Sequence, residues 1–299
     1  MKIRDLFRSQ EQTFSFEFFP PKSLKDVDAL FDRARELQQL GVSFCSVTYG
    51  AGGSTRKNTI DLVCRLQSEL ELVAMAHLTC VGHSEAELQE VVHELQDRGV
   101  ENLMCLRGDP PQGQTEFIPT PDGFSYASGL VKLVRTVGDF CIGVAGYPET
   151  HPECPDKQQD LEHLQAKVDC GADFVTTQLF FSSQDYFDFV DRAKRAGIQQ
   201  RIIPGIMPIT NYRQIVRFTG MCGAAIPSEL HERLALVADD PDAVLEIGVD
   251  WAWRQCEALL AGGAPGIHFY TMNRSRATQL IFERLRNSSV SSLLPTAAA

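Results

Sequence analysis

Short apolar or β-branched runs alternate along the chain with longer segments whose apolar residues recur at helical spacing, and the alternation repeats eight times. Strands are predicted at Thr13 to Phe18, Phe44 to Thr48, Leu72 to Leu78, Asn102 to Leu106, Cys141 to Ala145, Phe174 to Thr177, Ile202 to Gly205 and Gly266 to Phe269. Amphipathic helices are predicted at Leu24 to Leu40, Asn58 to Leu70, Glu85 to Arg98, Tyr126 to Val137, Gln158 to Cys170 and Gln184 to Ala196. Two or three more fall between Tyr212 and Leu260, and a last one after Asn273. Gly41, Gly99, Gly171 and Gly197 each stand just past a periodic segment, where a left-handed cap costs least. Ser23 with Asp26, and Ser84 with Glu87, have the spacing of capping boxes.

Eight strand–helix units in 299 residues predict a single-domain (β/α)8 barrel of the TIM type, spanning 1–287. An open doubly wound sheet would announce itself by a Gly-rich phosphate turn after its first strand. Neither G-x-G-x-x-G nor G-x-x-x-x-G-K-[ST] occurs, so a bound nucleotide must be held some other way. The Ser- and Ala-rich stretch 288–299 is expected to be a disordered tail.

Charge narrows the partners. With 28 Lys plus Arg against 39 Asp plus Glu, the net charge is -11, which offers no field to a polyphosphate backbone or an anionic membrane. No apolar run approaches the length of a membrane span, and the charged start Met1-Lys2-Ile3-Arg4-Asp5 is unlike a signal peptide, so a cytoplasmic protein is expected. The nine cysteines are scattered without any C-x-x-C, which points to reduced, structural thiols.

Candidate chemistry begins in the first strand. Phe14, Phe16 and Phe18 share one face and Ser15 and Glu17 the other, while Pro20-Pro21 ends the run. A carboxylate carried into a dry interior has its pKa raised by desolvation, which suits a general acid working near neutral pH. The alternative is a strand-end Glu paired with a structural Arg or Lys. A barrel gathers its chemistry at the carboxyl ends of its strands. There the chain has Thr48-Tyr49-Gly50-Ala51, His77, Arg107-Gly108-Asp109, Tyr147 with His151, Gln178, and His268-Phe269-Tyr270 with Arg274. Singly, Arg107 and Asp109 could be a loop ion pair, His77 a core histidine bonded to a carbonyl, and Gln178 a cap. His77, His151 and Asp109 lack H-x-H or H-E-x-x-H spacing, and no metal site is expected.

The motifs F-S-F-E-F-F-P-P-K, V-T-Y-G-A, H-L-T-C, L-R-G-D-x-P, Y-P-E-x-H-P, T-Q-L-F-F, P-G-I-M-P-I and H-F-Y-T-x-N-R occur in this order between Phe14 and Arg274. Together they resemble the bacterial-type methylenetetrahydrofolate reductases. The resemblance implies a barrel holding FAD at its carboxyl face, reduced by NADH or NADPH and reoxidised by 5,10-methylenetetrahydrofolate, which becomes 5-methyltetrahydrofolate, a methyl source for methionine synthesis. It makes Glu17 the acid that protonates folate N5 and Asp109 a charge that supports the iminium ion. Gln178 becomes the pterin-contacting amide and Tyr212 an aromatic stacking on bound substrate, while Tyr270 and Arg274 lie where the substrate tail passes. Thr48, Tyr49, Ala51, His77, Arg107, Gly108, Asp109, Tyr126, Ala127, Tyr147, His151, Asp160 and Lys167 fall on FAD-contacting positions, with Arg107 and Lys167 meeting the pyrophosphate.

His163, Ala166 and Cys154 depart from that pattern near the adenosine diphosphate end. One mouth without a separate dinucleotide fold implies that nicotinamide and folate take turns, with ping-pong kinetics. No room is left after the eighth helix for a C-terminal regulatory domain, so control by S-adenosylmethionine is not expected. The resemblance also implies a homo-oligomer, and preference between NADH and NADPH is not readable. Two competing readings are another FAD-dependent barrel oxidoreductase, proline dehydrogenase-like, which would need clustered arginines near Arg274 and Arg276, and a folate- or flavin-binding barrel without turnover.

Overall fold

The computed structural model describes residues 1–21, 23–49, 56–110, 113 and 116–295. Its strands β1 (Thr13–Phe18), β2 (Phe44–Val47), β3 (Ala74–Thr79), β4 (Asn102–Leu106), β5 (Cys141–Gly146), β6 (Phe174–Thr177), β7 (Arg201–Ile203), β8 (Gly205–Ile206) and β9 (Gly266–Tyr270) form one parallel sheet. Its order is β7-β6-β5-β4-β3-β2-β1-β9-β8. The two ends of that order are pieces of one barrel strand parted by Pro204. Proline brings no N–H to a ladder, so the strand is interrupted where it passes from β6 to β9. The Pro204 carbonyl still accepts from the His268 N–H at 2.9 Å, and the sheet closes as the expected eight-stranded (β/α)8 barrel.

Helices α2 (Leu24–Gln38), α3 (Arg56–Leu70), α4 (Glu85–Asp97), α5 (Ala127–Val137), α6 (Lys157–Asp169) and α7 (Ser183–Arg195) lie where periodicity predicts them. The segment from Tyr212 resolves into α8 (Tyr212–Cys222), α9 (Ser228–Leu236) and α10 (Pro241–Ala261), before α11 (Arg276–Arg286). At α4 the Ser84 hydroxyl accepts from the Glu87 N–H while the Glu87 carboxylate accepts from the Ser84 N–H. At α2 Ser23 accepts from the Asp26 N–H without the reciprocal bond. Gly41, Gly99, Gly171 and Gly197 all have positive φ.

The alternation expected in β1 is present. Phe14 and Phe16 face outward onto Phe282 of α11, with ring centroids 5.3 and 6.2 Å apart, and Phe18 joins the same outer core. Ser15 and Glu17 therefore face into the barrel. One helix was not legible, α1 (Ile3–Ser9), whose two buried residues Ile3 and Leu6 are too few to set a period. They join Phe44, Met75, Met104, Cys141, Phe174 and Ile203 in a cluster that closes the amino end of the barrel. Past α11, Val290 is 3% exposed and Ser291–Leu293 form a turn of 3-10 helix, within the stretch expected as a disordered tail; 296–299 lie outside the described residues. The nine thiols are free. Among the described residues no helix is long and apolar enough to cross a membrane.

Candidate active site

Glu17 sits at the carboxyl end of β1, 7% exposed, between two imidazoles. His77 of β3 brings Nε2 to 3.4 Å from Glu17 Oε2, and His268 of β9 brings Nε2 to 3.9 Å from the same oxygen. The structural alternatives for these residues are absent: no Arg or Lys pairs with Glu17 among the described residues, and His77 Nε2 makes no hydrogen bond. Burial lowers the His77 pKa against the opposing pull of Glu17, so the ring is neutral near pH 7. Register sets Glu17 beside Tyr270, whose hydroxyl donates to the Thr177 carbonyl at 2.6 Å. Burial, with Glu17 nearby, pushes that phenol well up. Gly205 makes room for it, since a Cβ there would lie 2.3 Å from Thr177 O and 2.6 Å from the Tyr270 ring.

The loops after β4 and β5 bring the charged residues together. Gly108 has φ +89°, and a Cβ would meet Val81 Cγ1 at 2.6 Å, so the turn that aims Arg107 and Asp109 requires glycine. Arg107 is not paired with Asp109. Its two terminal nitrogens hold Glu153 at 2.6 and 2.7 Å, a bidentate bond that raises the guanidinium pKa, and its plane lies 4.6 Å from the Phe117 ring centroid. Asp109 is exposed, near enough to Tyr147 to help burial raise that phenol. Tyr147 meets His151 edge to face at 4.8 Å, and burial and then Arg107 lower the His151 pKa.

From α6, Lys167 reaches under the mouth to donate to the Ala145 carbonyl at 2.5 Å. Burial lowers its pKa to about 8, opposed by Asp160, whose own pKa burial raises. Gln178 turns its Oε1 back to accept from the Leu179 N–H at 2.8 Å and lines a pocket with Tyr147, Glu149 and Cys222.

The other expected site residues spread around the rim. Tyr126 is 57% exposed, with its ring 5.4 Å from His163, and the buried Ala127 begins α5. Tyr49 is 9% exposed, 3.1 Å from His83 Nε2 through its hydroxyl, and Thr48 continues the β1–β2 pairing with its N–H on the Phe18 carbonyl at 2.9 Å. Tyr212, first in α8, lies 3.1 Å from His231 Nε2, and Arg274 donates to Thr210 at 3.2 Å. Ala51 lies outside the described residues.

Four residues of this region had no role assigned from the sequence. His268 was placed at the mouth and Ser15 on the face of Glu17, but their hydroxyl–imidazole contact of 2.7 Å needs the β1–β9 register. Glu153 follows the Y-P-E-x-H-P motif without a signal of its own. Asn273, at φ +57°, accepts from the Phe19 N–H at 2.8 Å and donates to the Phe19 carbonyl at 2.9 Å, acting as one more peptide unit that holds the end of β1.

Buried polar groups without partners gather on the lumen face of this mouth. His77 Nε2, Ser46 Oγ, Thr79 Oγ1 and Thr176 Oγ1 are all solvent-inaccessible and make no hydrogen bond. Such atoms are costly unless something supplies the missing partners. A heterocycle with alternating donors and acceptors, such as an isoalloxazine or a pterin, has the edge they lack, and Arg107 at the rim and Lys167 beneath it offer nitrogen donors for a phosphate-bearing tail. The residues present fit FAD.

A family model described as methylenetetrahydrofolate reductase matches residues 2–286. The chain belongs to the methylenetetrahydrofolate reductase family. It is 40% identical over 283 residues to methylenetetrahydrofolate reductase (NADH) 1 of Arabidopsis thaliana, covering 91% of this chain and 48% of that protein. With 5,10-methylenetetrahydrofolate reductase of Escherichia coli K12 it shares 36% identity over 271 residues, 91% of this chain and 90% of the other. The chain thus spans about half the length of the plant and yeast relatives it matches. Among solved structures, a Clostridium thermocellum protein that binds two copies of 5-methyl-5,6,7,8-tetrahydrofolic acid superposes with a TM-score of 0.64 at 13% identity, covering 96% and 98% of the two chains. At that identity the likeness shows the fold alone.

Proposed function

We propose that this member of the reductase family reduces 5,10-methylenetetrahydrofolate to 5-methyltetrahydrofolate at the expense of NADH or NADPH, in the cytoplasm, as a homo-oligomer whose catalytic barrel is residues 1–287, supplying methyl groups for methionine synthesis. The observation that carries the reading is Glu17, a carboxyl group buried in the mouth between two imidazoles, with no Lys or Arg paired to it among the described residues. A barrel that merely bound folate or flavin would have no use for a buried acid.

FAD, when bound, supplies the hydride relay between nicotinamide and folate. Thr48, Tyr49, Ala51, His77, Arg107, Gly108, Asp109, Tyr126, Ala127, Tyr147, His151, Asp160 and Lys167 would hold it. Lys167 and Arg107 provide positive charge for its pyrophosphate, Arg107 by letting its fork turn from Glu153. Gln178 provides a paired donor and acceptor for the pterin, Tyr212 an aromatic face, and Tyr270 and Arg274 the path of the tail. Glu17 gives its proton to N10 of the folate as the bond between N10 and the methylene bridge breaks, while the N5 lone pair forms the C=N bond, so the five-membered ring opens to a 5-iminium cation; the proton is needed on the leaving nitrogen rather than on N5. Asp109 opposes that positive charge without donating a proton. One mouth serves both substrates in turn, which gives ping-pong kinetics.

The test separates the two halves of the cycle. Glu17→Gln is nearly isosteric, and stopped-flow traces should show FAD reduction by NADH almost unchanged while the folate half-reaction slows by about 10²- to 10⁴-fold, the usual loss for a positioned acid. Equal slowing of both halves would mark Glu17 as a structural carboxylate instead.

A further inference from the structure

Glu17 is faced from β3 by His77 and from β9 by His268 and Tyr270; β2 faces it with Ser46. His268 is 1% exposed. Its Nε2 is turned to Glu17, and its Nδ1 lies 2.7 Å from the hydroxyl of Ser15, two residues before Glu17 on the same strand face. Ser15 is 0% exposed, and among the described residues Nδ1 is the sole side-chain partner of its hydroxyl. A hydroxyl buried so completely uses its proton on the acceptor in reach. Once Ser15 donates to Nδ1, a neutral imidazole carries its own proton on Nε2, the nitrogen that looks at the carboxylate.

We infer that Ser15 and His268 are a positioning pair that sets the acidity of Glu17, with Ser15 selecting the His268 tautomer that presents an N–H rather than a lone pair to the carboxylate. This rests on the reading of Glu17 as proton donor. An N–H turned to the carboxylate favours its anion without bringing a charge into the barrel, so the proton leaves Glu17 more readily than it would beside a lone pair.

The experiment records the folate half-reaction of the FAD-loaded protein from pH 5 to 10 in His268→Leu, His268→Gln, Ser15→Ala and Glu17→Gln. Losing the donor raises the pKa of Glu17, so the acid form persists longer. In His268→Leu the alkaline limb should move up by about one pH unit and in Ser15→Ala by roughly half a unit. The plateau should fall by up to about tenfold in the leucine variant, because a weaker acid gives its proton more slowly. His268→Gln keeps an N–H in reach and should stay close to the parent profile. The NADH half-reaction, which needs no acid, should be unchanged throughout and reports that the mouth is intact. If Glu17→Gln abolishes the folate half while the alkaline limb stays put in both His268→Leu and Ser15→Ala, the pairing is wrong and the acid assignment stands. If Glu17→Gln leaves the folate half at parent speed, both fall together.

Discussion

The two ends of the barrel are built from the same strands and satisfy their polar groups in opposite ways. At the amino end α1 lies across the opening, and the Asn102 side chain meets almost everything it faces, accepting from the Ile3 N–H at 2.7 Å and donating to the Met1 and Ala74 carbonyls at 3.1 and 3.2 Å. Arg201 donates to the carbonyls of Phe7 and Gln10 that the end of α1 leaves open. Beneath them Phe44, Phe174, Met75 and Ile203 fill the lumen with apolar volume. Thr13 Oγ1 is the exception, buried without a partner. At the carboxyl end the lumen residues are instead Glu17, His77, His268 and Tyr270, four polar atoms are left without partners, and Thr150, Met272 and Asn273 hold positive φ. One end is optimised for its own stability. The other keeps costs that a ligand can offset.

That contrast breaks most visibly at Phe174, which is fully buried and meets Phe7 edge to face at 5.3 Å. Phe174→Ala should cost roughly 3 to 5 kcal/mol of unfolding free energy, read by chemical denaturation, and should impair every activity in proportion to the folded fraction. A loss confined to the folate half-reaction would contradict a purely structural amino end. Asp109→Asn, at the exposed rim of the other end, should do the reverse. Unfolding should be unchanged, while the folate half-reaction slows by about 10²- to 10³-fold, as for the loss of one preorganised electrostatic contact.

Lys167 sharpens the comparison through pH. Burial lowers it to about 8 in the ligand-free protein, so above that pH its amine is neutral and has no charge to offer a pyrophosphate. Anion binding restores the proton, which makes FAD affinity flat below pH 8 and weaker above it, by up to about tenfold per unit. Lys167→Ala should weaken FAD by about ten- to a hundredfold at pH 7 and abolish the slope, as titrated by flavin fluorescence. A slope that survives the substitution would assign it to another group. The smallest effect is expected at Thr176, whose hydroxyl has no partner. Thr176→Val should raise the stability of the flavin-free protein by about 1 kcal/mol and weaken flavin binding, whereas Asn102→Ala should lower stability whether or not flavin is present.

Much of the barrel is written in local patterns. Period-2 alternation put Glu17 on the face opposite its phenylalanines, and the glycine stops and the Ser84–Glu87 box marked helix ends, because each depends on residues within one or two turns. Glycine at 108 and at 205 is equally local in sequence, yet its reason is a neighbour, Val81 or Tyr270, that only folding brings close. The helix α1 escaped notice because it is stabilised by the lumen it covers rather than by its own pattern.

Single side chains in the site divide the same way. The sequence by itself determined that the chain alternates eight strands with helices and that an acid enters the lumen from the first strand, since side-chain direction along an extended backbone has a fixed period. Only the tertiary structure decided what that acid meets. Closure through Pro204 sets β9 against β1, and the resulting register brings Ser15 opposite His268 across 253 residues of chain. It likewise gave Arg107 to Glu153 rather than to Asp109 two positions away, because the left-handed turn at Gly108 sends the two side chains apart and a bidentate partner lay on the next loop. Pairings of this kind depend on strand order, barrel shear and loop geometry, which are properties of the whole closed sheet and are absent from any local stretch of sequence.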